Sequence, residues 1–568
     1  MHETQIPRVL TALLSRRGVE DPAAIRRKLS WDPGDLRGEI LPSSGILGFD
    51  RAVEVLMGAR ERGETVVVHG DYDVDGMTGT AILWMCLRRA GLRAGWTLPR
   101  RDGEGYGLSD ASLERCRDGE GVVGLPEGAD PRARWVVSVD TGITAGPQIA
   151  RARERGLGVV VTDHHLAGDG FPSQAEVVLD PYQEGCDYPN KGLCGAALAW
   201  KLGRALLEAT GTDRESDPFR LLQLVALGTL ADMVPLTMEN SALVRLGLLE
   251  LRERPLFGVA ELLRNAQIPP DAVPRGQDLV FRVTPRLNSA GRLRQGEVAV
   301  RLLLAHSTDE AARWMSELED LNHKRQQLDQ RITAEAFEQV NHMLAADGTP
   351  PPAFVLSGES WHEGVSGIVS QRVAERWSRP TFVLAPDPGQ PDEWRGSGRS
   401  VPGIDLHLAL SRCADLLEKW GGHAQAAGLS LRRDRAQQFR ERFVESVLQS
   451  RDPSEAAGPS GECQADLHEM DGSLLGWLER LEPWGAGNPA PVFWTDSVQI
   501  VAMSRVGDGK HLRVTVKQGG HQVDGIAFNL GHLAAQLQIG SVVRLAYQVE
   551  WNEFRGRRSV QLRIKEIR

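Results

Sequence analysis

The chain has 568 residues, 41% of them hydrophobic, and a formal net charge of −10. At ~100–200 residues per domain this is material for three to five globular domains, and with no apolar run of about 18 residues a membrane-spanning helix is excluded. The acidic balance argues against a protein that coats nucleic acid through overall charge, while leaving room for a local basic channel.

The N-terminal stretch has neither the apolar core nor the small-residue cleavage site of a signal peptide. The cysteines at 86, 116, 186, 194, 413 and 463 form no C-x-x-C pair. Neither a disulfide scaffold nor a zinc ribbon is indicated, and a reduced, cytoplasmic protein is expected. Residues 1–45 read as short helical pieces broken by Pro and Gly. From 46 to 294 helix and strand alternate. A helix near 52–62 leads into an apolar strand at 65–69 with three consecutive valines. A helix at 80–90 follows, then strands at 135–139, 157–162 and 176–179. This alternation predicts a mainly parallel α/β sheet with its ligand site at the C-terminal strand ends.

Residues 295–346 are charged and helical, without Gly or Pro in ELEDLNHKRQQLDQRITAEAFEQV. That suits a helix connecting two lobes, or simply an exposed helix with paired charges. Residues 347–455, with strands expected at 353–356 and 381–385, read as a second α/β lobe. A polar linker is expected at 450–461. The remainder of 456–568 alternates short strands with glycine turns, which predicts a small β-barrel of OB type. The expected fold class is α/β: two α/β lobes joined by a long helix, plus a C-terminal barrel.

Four motifs set metal-ligating side chains just beyond apolar strands. VVVHGDYDVDG carries His69, Asp71, Asp73 and Asp75; VVSVDTGIT carries Asp140; VVVTDHH carries Asp163, His164 and His165; VALGTLADMVPL carries Asp232. Singly, each has an ordinary alternative: a solvated acidic loop, a helix-capping Asp, a surface His pair, a buried ion pair. Together they offer imidazole and carboxylate ligands at one sheet edge, which suits Mn²⁺ or Mg²⁺, with the histidines favouring manganese. Two such ions about 4 Å apart would activate water and stabilise in-line displacement at phosphorus.

The triplet at 163–165 and the spacing His69-x3-Asp73-x-Asp75 resemble the DHH phosphoesterase superfamily, and the resemblance extends over nearly the whole chain to the RecJ single-stranded-DNA exonucleases. PRRDGEGYGLS resembles a family element that implies Arg101 near substrate phosphates. FRVTPRLNSAGRL resembles another, with Ser289 where alanine is usual, and makes Arg286, Asn288 and Arg292 candidates for the reacting site. WHEGVSGIVSQRVAE and GGHAQAAGLS resemble the DHHA1 domain. There the resemblance implies that Gly421, Gly422 and His423 admit a phosphate or sugar. It also implies that Arg372 binds a 5′ phosphate, with Gln371 before it in place of the usual serine. Arginine suits such contacts because its planar fork donates paired hydrogen bonds. LEPWGAGNPAPVF resembles the lead into the OB domain. Residues 495–568 carry 11 Lys and Arg against 6 Asp and Glu. Trp551, Phe554, Arg555, Arg557 and Arg558 gather near an expected hairpin and could stack on bases and track a backbone. A core Trp beside a solvated basic turn is the alternative.

The resemblance implies an exodeoxyribonuclease that degrades single-stranded DNA 5′→3′ to 5′-mononucleotides by two-metal hydrolysis, in recombination and repair. It puts His69, Asp73 and Asp140 on one ion and Asp75, Asp140, His164 and Asp232 on the other. His165 faces the scissile phosphate, with Asp71, Arg286 and Asn288 at the reacting site. A single-strand-binding protein and a DNA helicase are the implied partners of a monomeric enzyme. Three other readings stay open: a small DHH phosphodiesterase of short oligonucleotides or cyclic dinucleotides, an inactive DNA-binding scaffold, and a manganese pyrophosphatase. The OB region, the complete ligand set and the GGH element argue against them in that order.

Overall fold

The computed structural model describes residues 6–100, 107–168, 170–344, 348–449, 461–554 and 557–568. Consecutive β-branched residues set the first sheet. Val66, Val67 and Val68 point to alternate faces and all are buried, so helices cover both sides, as parallel sheets require. The strands are β1 (Thr65–Gly70), β2 (Arg93–Thr97), β3 (Trp135–Val139), β4 (Gly158–Thr162) and β5 (Val177–Leu179). They lie in the order β2-β1-β3-β4-β5, every pair parallel. The chain leaves β1 toward β2 on one side and returns as β3 on the other. The order therefore reverses between β1 and β3, and a crevice opens there at the C-terminal strand ends. Strand β2 has no counterpart among the expected elements. Its sequence, RAGWT, is short, contains Gly and lacks β-branched runs; its place at the sheet edge gives it strand conformation.

The charged segment is two helices, Gly296–Leu303 and Thr308–Met343, rather than one. Ser307 caps the second, accepting from the Glu310 amide at 3.2 Å. Its 36 residues reach ~54 Å at 1.5 Å per residue, enough to join the two lobes. The second lobe holds β6 (Phe354–Ser357), β7 (Thr381–Asp387), β8 (Gln390–Arg399), β9 (Lys419–Gly422) and β10 (Ala426–Arg432), in the order β6-β7-β8-β10-β9. Only β6 and β7 run parallel. The Gly- and Arg-rich WRGSGRS of β8 carries no strand signal in sequence; β7 and β10 pair with it on both sides.

The C-terminal sheet closes. Strands β12 (Phe493–Val506), β13 (His511–Gln518), β14 (His521–Ala527), β15 (Val542–Phe554) and β16 (Arg557–Ile567) run in the order β12-β13-β14-β16-β15. Pairing of β12 with β15 completes a five-stranded barrel, and β11 (Cys463–Gln464) lies beside β12. The N-terminal helices Arg8–Arg16 and Pro22–Leu29 belong to this barrel. Val9, Leu10, Leu13, Leu14 and Leu29 share its apolar core, and Arg17 pairs with Glu462 at 2.9 Å. Most of the polar stretch at 450–461 lies outside the described residues. All six cysteines are free and buried. Among the described residues no helix is long and apolar enough to cross a membrane.

Candidate metal centre and substrate cleft

The register of the first sheet brings the acidic motifs to one level. Gly70 pairs with Val139, and Val139 with Thr162, so Asp140 and Asp163 leave their strands together. Asp73 caps the helix Val74–Arg89, its carboxylate accepting from the Gly76 amide at 3.0 Å. That cap puts Asp75 in the first turn, buried. Asp75 accepts from the amides of Gly195 at 2.6 Å and Ala196 at 2.9 Å, which open the helix Gly195–Thr210. Exposed amides at a helix start favour a carboxylate. Asp232 caps the far end of the helix Leu222–Ala231. Asp140 has a left-handed backbone, φ 63°, uncommon for a residue with a Cβ. Its Oδ1 lies 2.9 Å from His164 Nε2. The same nitrogen is 3.6 Å from Asp232 and 3.7 Å from Asp75.

Ligand-capable atoms of Asp71, Asp73 and Asp140 lie within 4.8 Å of one another, as do those of Asp75, His164 and Asp232, and those of Asp140, His164 and His165. Asp71, read from sequence as a catalytic residue, thus sits by position with two expected ligands. Burial pushes the Asp75 and Asp140 carboxyls up, and neighbouring carboxylates push further. Burial, then Asp75 and Asp73, raises Asp232 to about 8. His69 is buried, and burial with the Arg115 guanidinium holds its imidazole down to about 3. Among the described residues neither of its ring nitrogens has a partner within good hydrogen-bond geometry. Carboxyls driven to retain protons beside a neutral imidazole with open nitrogens fit a divalent cation, which would take the place of those protons. The mixed oxygen and nitrogen donors are those of Mn²⁺ or Mg²⁺ chemistry.

Asp163 holds the turn that carries both histidines. One oxygen accepts from the Ile143 amide at 2.9 Å; the other accepts from the His164 amide at 2.7 Å and lies 2.7 Å from His165 Nδ1. The Asp163 bond lifts His165 to about 9 and turns its other nitrogen, Nε2, away from Asp163. The sequence named Asp163 only as the first letter of the triplet; the structure makes it the positioning residue.

Beside Asp73 a cleft of about 290 Å³ runs between the lobes. Asn288 and Arg292 line it from the first lobe; Glu363, Ser366, Arg395, Ser397 and Arg399 line it from the second. None of the last five is among the residues singled out from sequence: WRGSGRS offers only its composition, and the resemblance carried by WHEGVSG points to neither its glutamate nor its serine. The other expected contacts lie elsewhere. Arg286 turns from the cleft to Asn265 at 2.8 Å and Glu319 at 3.1 Å. Arg372 reaches Asp329 on the long helix at 2.8 Å, and Gln371 bonds to Glu375 at 2.7 Å. Gly421, Gly422 and His423 form the β9–β10 hairpin at the sheet edge. Gly422 needs its left-handed φ of 131° there, since a Cβ would meet the Ala426 carbonyl at 2.5 Å. Trp551 is half-buried, its indole donating to Glu479 at 2.9 Å and the Arg558 guanidinium lying 4.1 Å above it. Arg101 and Arg555 lie outside the described residues; Phe554 and Arg557 are described in their backbone strands only.

Three family models match: the DHH family N-terminal domain at residues 65–229, the DHHA1 domain at 351–449 and the RecJ OB domain at 462–566. The single-stranded-DNA-specific exonuclease RecJ of Salmonella typhimurium is 36% identical over 99% of this chain and 96% of its own. That of Escherichia coli is 34% identical over 99% and 96%. The crystal structure of Thermus thermophilus RecJ in complex with Mn²⁺ superposes with a TM-score of 0.77 at 28% identity, covering all of this chain and 78% of that one. A Mg²⁺ complex from the same organism gives 0.72 at 26% identity, covering 98% and 74%.

Proposed function

The chain belongs to the RecJ family of single-stranded-DNA-specific exonucleases, and on that premise we propose that it removes 5′-mononucleotides from single-stranded DNA, working 5′→3′ with a pair of divalent cations, Mn²⁺ or Mg²⁺. One observation carries this reading: the acid and imidazole cluster opens, through Asp73, into a cleft whose far wall holds Ser366, Ser397 and Arg399. A cleavage centre and an anion site separated by the width of one cleft suit removal of a single terminal nucleotide.

When bound, the cations supply water activation and neutralisation of phosphate charge. Asp71, Asp73 and Asp140, joined by His69, would hold one ion, and Asp75, His164 and Asp232 the other. Asp140 and His164, 2.9 Å apart, lie between them. The Gly195 and Ala196 amides hold Asp75 so that only small motions are left to it. Asp163 fixes His165 through Nδ1, leaving Nε2 for the oxygens of the scissile phosphate. Asn288 and Arg292 guide the strand past Asp73, and the 5′-terminal phosphate rests on Ser366, Ser397 and Arg399. Water adds at phosphorus as the P–O3′ bond breaks, and the 3′-oxygen of the terminal nucleotide leaves as a hydroxyl carrying a proton from that water.

The reading includes a monomer that meets a single-strand-binding protein and a helicase on DNA, in recombination and repair. Its test is Mn²⁺-dependent digestion of 5′- and 3′-labelled single strands beside duplex and RNA. Mononucleotides released first from the 5′ label are expected. Intact single strands, or full activity in Asp73→Ala, would refute it. R399M should abolish any advantage of a 5′ phosphate over a 5′ hydroxyl.

A further inference from the structure

We propose that Glu363 is a charge gate that makes the cleft accept a 5′ monophosphate and disfavour ends carrying more phosphate. The proposal rests on the assignment of the cleft to the 5′ end. Glu363 opens the helix Glu363–Trp377, and its side chain is 6% exposed. One oxygen accepts from Arg294 of the first lobe at 2.7 Å. The other lies 3.4 Å from Arg395, which also pairs with Asp387 at 2.6 Å. Two of the guanidiniums around the cleft are therefore matched by carboxylates.

Arg399 differs. It donates to the Gly398 carbonyl at 2.8 Å and to Ser397 Oγ at 3.4 Å; among the described residues no carboxylate meets it. It lies against the first turn of the same helix: a Cβ on Gly367 would be 3.2 Å from its Nη2 and 3.0 Å from Ser397 Oγ. Ser366 lines the cleft there, its Oγ buried and, among the described residues, without a hydrogen-bond partner. One guanidinium without a carboxylate and two hydroxyls suit a single phosphate group. Beyond Arg292, which already donates to the Gly364 carbonyl at 2.8 Å, a longer phosphate chain would have to take Arg395 or Arg294 from Glu363 while sitting beside its negative charge. Discrimination built on such a repulsive element needs no extra contact to the preferred end. It also gives a role to the glutamate of WHEGVSG, whose neighbours are occupied otherwise: Trp361 donates to Glu335 at 2.6 Å and His362 caps the helix.

The test uses the full chain at fixed free Mn²⁺, with internally labelled single strands ending in a 5′ hydroxyl, monophosphate or triphosphate, read as kcat/KM. The wild type should favour monophosphate over triphosphate. E363Q, which keeps the shape and removes the charge, should narrow that ratio by about tenfold, the effect of roughly one nearby unit charge. R294M breaks the bond between the lobes and leaves the Glu363 charge less compensated, so it should hold the ratio at the wild-type value or widen it. E363D, which draws the charge back by one methylene, should give an intermediate ratio and carries the test if E363Q does not fold. A wild-type ratio in E363Q or, failing its folding, in E363D overturns the gate. So does a narrowing in R294M equal to that in E363Q, which would make Glu363 a latch between lobes. No wild-type preference for monophosphate over hydroxyl would instead overturn the cleft assignment itself.

Discussion

Gly195→Ala should disable the candidate metal centre without replacing any of its ligand residues. Gly195 donates its amide to Asp75 at 2.6 Å, and a Cβ there would lie 2.6 Å from Asp140 Cβ and 3.0 Å from Asp140 Cα. Carbon atoms pack at ~3.5–4.0 Å, so the helix start and Asp140 must separate by about 1 Å. Either the Asp75 hydrogen bond lengthens beyond use or Asp140 leaves His164. A 1 Å misplacement in such a site costs roughly 10²-fold in rate, or about 2.7 kcal/mol of transition-state stabilisation. The overpacking itself should cost ~1–3 kcal/mol of stability, partly offset by the better helix propensity of alanine. The assay is kcat for Mn²⁺-dependent digestion, with Mn²⁺ affinity by calorimetry and Tm for each variant. Gly476→Ala is the control: it sits in a helix with nothing within 4 Å of its would-be Cβ, and should be neutral or slightly stabilising. Wild-type Mn²⁺ affinity and a kcat within twofold in G195A would refute the argument that this close approach sets the site.

Three further outcomes are expected. Lys201 and Glu239 form a fully buried pair at 2.6 Å, with Tyr188 donating to Glu239 at 2.7 Å; K201M alone leaves a buried carboxylate and should lose about 3–5 kcal/mol by denaturant unfolding, more than K201M with E239Q. Arg372→Met breaks the pair with Asp329, whose side chain is nearly fully buried, and should lower Tm while leaving the preference for a 5′ phosphate unchanged. Burial raises Glu482 to about 7 in the folded chain, above its ordinary value of 4.5. The folded state therefore holds this proton more tightly than the unfolded state, and stability falls as pH rises from about 4.5 to 7. E482Q should be more stable than wild type above pH 7 and lose that advantage toward pH 4.5, read as Tm against pH.

Much of the chemistry was legible because it lay in short, local signals. Three valines before His69 specify a buried strand, and acids just past a strand end fall where a parallel sheet opens its crevice. Hence Asp73, Asp75, Asp140 and His164, which the structure gathers at one crevice, could be named as candidates from spacing and side-chain type, as could two α/β lobes and a barrel. What the sequence could not carry depends on partners distant along the chain. Strands β2 and β8 hold their conformation through neighbours, and RAGWT and WRGSGRS show no periodicity of their own. Nothing in LCGAAL announces that the Gly195 amide holds Asp75, 120 residues away. The direction of each arginine was also undecided: Arg286 and Arg372 turn to carboxylates of the long helix, while Arg395 and Arg399 face the cleft. A guanidinium on a long side chain goes to whichever anion packing places within its reach. Sequence alone thus offered side chains of the right type to bind metal, and only the tertiary structure decided which arginines and serines line the cleft beside them.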